Sequence, residues 1–112
     1  MAEFLSVNKE SKYKFNLKVE YMLVKNIFGS SRFPRPNGYA SWLAYWEAQT
    51  GYKATYCSAS NCVKRDLVGA HVQKVFGNDN KWYIVPLCLS CNQRTDTFSV
   101  PDNVLVPVPS NL

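Results

Sequence analysis

All four cysteines of the chain fall in two close pairs, Cys57/Cys62 and Cys88/Cys91, with 25 residues between the pairs. Two short Cys loops can bring four thiolates to one tetrahedral Zn²⁺ at about 2.3 Å, the closed coordination of a structural site. The second loop has a two-residue spacer and the first a four-residue one, and both suit this geometry. Two disulfides are the competing reading. Nothing at the N-terminus looks like a signal peptide, and thiols inside cells stay reduced, so the metal is favoured. The single histidine, His71, lies between the pairs, and every acid–base hypothesis rests on it. Its alternatives are a hydrogen-bonded strand residue near the metal or a partner to one thiolate. Arg32 and Arg35 flank Phe33, and Lys64-Arg65 follows the first pair. Such cations can neutralise phosphates while an aromatic ring stacks on a base. Equally, Phe33 can plug the core while the arginines are merely solvated.

These groups need a scaffold, and 112 residues suit one domain. A content of 46% hydrophobic and 14% aromatic residues supports a core and argues against wholesale disorder. No apolar run approaches the ~18 residues of a membrane span, and a cytoplasmic location is expected. The formal charge is +5; four thiolates and a Zn²⁺ would bring it to about +3. Residues 1–56 hold 8 basic and 4 acidic side chains, so the excess is mostly N-terminal. Nucleic acid or an acidic protein is compatible with that balance, which solubility alone would also explain.

Residues 1–12 read as a loose terminus. From Phe15 the pattern alternates, with Phe15, Leu17, Val19 and Tyr21 on one side, which predicts a half-buried strand. Met22-Leu23-Val24 breaks the alternation, so a helix over 15–28 is the rival. Residues 29–38, with two prolines and two glycines, predict a loop. Residues 39–50 predict a helix, capped by Asn37 or Ser41 and ended by Gly51. Tyr39, Trp42, Tyr45 and Trp46 recur at spacings of three and four, an aromatic stripe that should seal the N-terminal half against the cysteine-framed unit. Residues 67–76 and 81–86 predict a hairpin around Gly77-Asn-Asp-Asn80. Cys88–Thr95 can begin a helix that Pro101 keeps short. Residues 98–100 and 104–108 are extended, with prolines suited to edges.

A Cys pair on a turn, a hairpin and a Cys pair opening a helix resembles a treble-clef zinc finger. More specifically, Gly69-Ala-His71-Val72 and Ile84-Val-Pro-Leu-Cys88-Leu-Ser-Cys91-Asn92 resemble the zinc-framed branch of the HNH (ββα-metal) nucleases, over about residues 57–98. The resemblance implies His71 as general base and Asn92 as a ligand to a catalytic Mg²⁺ or Mn²⁺. It puts Ala70 where the family carries a second ligand, and Tyr83 where it carries an Asn that braces the hairpin. Alanine cannot hold a metal, and one amide oxygen holds a hard cation poorly. Asn92 also suits a helix cap or a donor to a thiolate.

The expectation is therefore an α+β fold: an HNH-like, zinc-bound ββα unit over 57–98. A strand–loop–helix part over 1–56 packs on it, with an extended tail over 99–112. The expected function is a catalytically degenerate zinc-binding module that binds nucleic acid through Arg32, Arg35, Lys64 and Arg65. One alternative is an active metal-dependent endonuclease using His71. The other is a protein-interaction or inhibitor module that docks through its aromatic half.

Overall fold

The computed structural model describes residues 19–29, 33–77 and 80–109. Within them the fold is α+β, a five-stranded antiparallel sheet carrying one α-helix. In chain order the elements are β1 (Tyr21–Asn26), α1 (Trp42–Thr50), β2 (Leu67–Lys74), β3 (Tyr83–Cys88), β4 (Phe98–Pro101) and β5 (Val106–Pro107). The strands lie in the order β4-β1-β2-β3-β5. The edge strands β4 and β5 each carry a proline, where a missing N–H costs no ladder bond, and the inner strand β3 carries a third, Pro86, opposite Gly69. No helix among the described residues is long and apolar enough to cross a membrane.

Register separates the sheet into two faces, because successive side chains of a strand point opposite ways. Ala70 pairs with Val85 and Val72 with Tyr83; with Val24, Phe98 and Val100 they pack beneath the cysteines. His71 pairs with Ile84, and Ile84 packs under Trp42 and Trp46 of α1 on the other side. Trp42 and Trp46 of the expected stripe are therefore core, but α1 begins at Trp42 and not at residue 39, which leaves Tyr39 before the helix and Tyr45 half-buried, and the helix covers β2 and β3 directly rather than joining two halves. Nine residues make a marginal helix in isolation. Ser41 Oγ accepts from the Ala44 N–H at 3.0 Å, Gly51 closes the end at φ 76°, and the Trp46 indole donates to the Val104 carbonyl at 2.8 Å. Where α1 starts, it rests on bare backbone. A Cβ on Gly69 would lie 2.5 Å from the Leu43 nitrogen, so only glycine lets the helix come this close.

Two expectations are corrected here. The N-terminal strand runs through Met22–Val24, and its inward residues are Met22, Val24 and Asn26; Val19 and Tyr21 are exposed. Phase is set by tertiary fit: β1 lies between β4 and β2, and a one-residue shift exchanges the faces. Residues 15–18, which carry the rest of the expected alternation, lie outside the described residues. The second correction concerns the segment after β3. It forms a single 3-10 turn, Cys91–Gln93, and Arg94 is already extended. The Cys91 and Arg94 carbonyls are taken by the Asn26 side chain at 2.9 and 3.0 Å, leaving no helical ladder to propagate.

Candidate metal centre

The four cysteine sulfurs converge, all within 4.8 Å of one another. The thiols are free, and the Cys62 and Cys88 sulfurs lie 3.8 Å apart. A tetrahedron with metal–sulfur bonds of about 2.3 Å has edges of about 3.8 Å, so this spacing fits a four-thiolate site and not a disulfide. Among the described residues this is the only group of three or more His, Cys, Asp or Glu side chains placed to share an ion.

Each loop is held by bonds the spacing alone does not specify. Asn61 in the first loop takes φ 65°, a left-handed turn that asparagine tolerates, and the Cys62 N–H donates to the Ala59 carbonyl at 3.1 Å. The Ser60 N–H and hydroxyl both donate to the Ser99 carbonyl, at 2.9 and 3.2 Å, fastening the loop to edge strand β4. The Ser58 N–H donates to the Pro86 carbonyl at 3.0 Å, and that of Cys57 to the Lys64 carbonyl at 2.8 Å. In the second loop the Cys91 N–H points at the Cys88 sulfur, 3.4 Å away. Burial pushes the Cys88 thiol up, but Ser90, this N–H and the neighbouring sulfurs outweigh it and bring it down to about 6. Burial, together with Cys88 and Cys57, pushes the Cys91 thiol up to about 12. Without a cation, four anionic sulfurs cannot share this volume. A divalent cation supplies the charge that lets all four lose their protons.

Asn26 is the residue that sequence reasoning missed. It is 8% exposed on β1, and its amide ties the turn carrying Cys91 to the middle of the sheet. The available signal was a polar residue continuing the inward phase of Met22 and Val24. Asn26→Ala should cost about 1–3 kcal/mol, since the buried Cys91 carbonyl and the half-buried Arg94 carbonyl each lose a donor. It should also weaken metal retention, read by competition with a chromogenic chelator.

The two catalytic candidates lie on different elements, His71 on β2 and Asn92 in the turn after β3. His71 lies on the face under α1, with its ring edge-on to Trp42 at 4.9 Å and Phe33 at 5.7 Å between centroids. It is 5% exposed, and its Nε2 is buried without a hydrogen-bond partner. Burial lowers its pKa below the ordinary imidazole value, so it is neutral at pH 7. Ala70 faces the opposite way, into the core beneath the cysteines, so a carboxylate there would point away from His71. Asn92 lies in the 3-10 turn, half-buried beside Cys91. Among the basic candidates, Lys64 Nζ donates to Ser90 Oγ at 3.3 Å, bridging the two cysteine loops. Arg65 lies over the Tyr56 ring at 5.1 Å, on the same rim. Arg35 is exposed in the loop before α1, and Arg32 lies outside the described residues. Compared with known protein families, with characterised proteins and with solved structures, the chain has no match.

Proposed function

We propose that the chain is a small zinc-binding module on an HNH-like, treble-clef-like scaffold, which binds nucleic acid and does not cut it. The observation that carries the zinc reading is the four-sulfur cluster with its 3.8 Å edge. Cys57, Cys62, Cys88 and Cys91 are the ligands in this reading, and the ion ties the end of β3 to the loop that covers β4. The order of Cys loop, hairpin and Cys loop supports the treble-clef likeness, while the short 3-10 turn is a departure from it.

For nucleic acid, support comes from Lys64 and Arg65, which stand exposed on the rim of the cysteine cluster, one against Ser90 and the other on Tyr56. Side chains anchored this way lose less freedom on meeting a phosphate than unrestrained ones. The enclosure of His71 weighs against an endonuclease: a general base must reach a water, and this ring is walled by Phe33 and Trp42. Burial of Trp42 and Trp46 likewise weighs against docking a protein partner through the aromatic stripe.

Anisotropy titrations with DNA and RNA, over a range of salt, test the reading. Affinity should fall steeply with salt, and replacing Arg32, Arg35, Lys64 or Arg65 by Ala should flatten the slope by about one per lost phosphate contact. With Mg²⁺ or Mn²⁺ no strand should be cut. Cleavage that His71→Ala abolishes, in a variant still loaded with zinc, would establish an enzyme instead.

A further inference from the structure

One line of polar contacts runs from the cysteine cluster out to the surface. Ser90 Oγ lies 3.4 Å from the Cys88 sulfur and 3.3 Å from the Lys64 ammonium nitrogen. Lys64 follows the first cysteine loop and Ser90 lies within the second, so this path crosses from one loop to the other. Its direction follows from what each group can donate. An ammonium only donates, so Ser90 Oγ accepts from Lys64; the one hydroxyl proton is then left for the Cys88 sulfur. The Cys91 N–H, also 3.4 Å away, points at the same sulfur. Cys88 is fully buried, so these donors stand where water would otherwise solvate a charged sulfur.

We propose that Ser90 and Lys64 are the outer part of the metal centre: the Ser90 hydroxyl, held in direction by the Lys64 ammonium, donates to the Cys88 sulfur and sets how tightly the site keeps its ion. The inference rests on the zinc reading above and adds two positioning residues, which act through Cys88 and not on the metal itself. Charge gives the first reason. Four thiolates around Zn²⁺ leave a net charge of about −2, and donors to sulfur with a cation behind them offset it. The second reason is closure. The path is complete only when both cysteine loops are in place, so it favours the four-sulfur arrangement over a site held by one loop. Lys64 is also fixed at its backbone, where its carbonyl accepts from the Cys57 N–H at 2.8 Å. Its ammonium carries three donors, so one given to Ser90 leaves two for a phosphate at the rim.

The test uses the full chain loaded with Zn²⁺ and titrated with a chromogenic chelator. Ser90→Ala should lower Zn²⁺ affinity by about 10- to 100-fold, the usual loss when an outer partner of a metal ligand is removed. Ser90→Thr keeps a hydroxyl and should keep the affinity. Lys64→Ala should weaken retention in the parent and add nothing to Ser90→Ala, because it acts through that hydroxyl. The Co²⁺-loaded chain gives a readout that a loss of fold stability would not move. Its sulfur-to-metal charge-transfer band should shift to lower energy in Ser90→Ala, since a sulfur without its donor gives up an electron more readily. If Ser90→Ala holds Zn²⁺ as tightly as the parent and leaves the Co²⁺ band in place, the proposal is overturned and the zinc reading stands. Additive losses from Lys64→Ala and Ser90→Ala would overturn the part given to Lys64. If the parent binds neither ion, both the proposal and the zinc reading are overturned.

Discussion

Stripping the metal with a strong chelator is expected to unfold the cysteine-framed half of the protein, and metal analysis before stripping should find one equivalent of Zn²⁺. Binding to a four-thiolate site contributes roughly 10–16 kcal/mol at neutral pH, against a net stability of about 5–15 kcal/mol for a typical domain. In the proposed site the ion would therefore decide whether this part folds. Both loops and the end of β3 would depend on it, and so would the outer edge of β4, which Ser60 fastens to the first loop. Cys88→Ser should have nearly the same effect, because Cys88 accepts from the Cys91 N–H and lies within 3.8 Å of Cys62. Circular dichroism during a chelator titration measures the loss. The expected sign with pH is also defined. Cys91, held near 12 without a cation, must give up its proton on binding, so metal affinity should fall as pH is lowered. Two disulfides and no metal in protein purified under reducing conditions would remove the zinc site from consideration.

Trp46→Ala should cost about 3–5 kcal/mol in urea denaturation, the usual range for a large core aromatic. The indole is 5% exposed, packs with Trp42 over Ile84, and donates to the Val104 carbonyl at 2.8 Å. That bond ties α1 to the 3-10 turn leading into β5, so truncation opens a cavity and frees the tail in one step. Trp46→Phe separates the two effects. It keeps most of the volume and should lose only the hydrogen bond, about 0.5–1.5 kcal/mol. A nearly neutral Trp46→Ala would mean that the stripe is a surface, and a protein partner docking through α1 would become the better reading.

Much of this was written in local chemistry. Four cysteines in two short loops point to a shared metal, because the ligand type and the loop length are both local, while the convergence of the two loops to within 4.8 Å is a result of the tertiary structure. The helix was legible for the same reason: Ser41, Gly51 and the spacing of Trp42 and Trp46 act within a few residues. The hairpin of β2 and β3 and the proline-bearing edges followed from strand patterning. What required the tertiary structure was every choice between two locally equal options. Whether odd or even residues of β1 face inward depends on β4 and β2, which come much later in the chain. Asn26 braces the metal loop across 65 residues, a contact no window of sequence contains. The family likeness places Ala70 and His71 side by side at one site, but neighbours on a strand point to opposite faces. One lies beneath the cysteines and the other beneath α1. Local spacing sets which residues can bind a metal or turn a helix; only packing against distant strands decides which face each side chain takes, because the pleat offers both at nearly equal local cost.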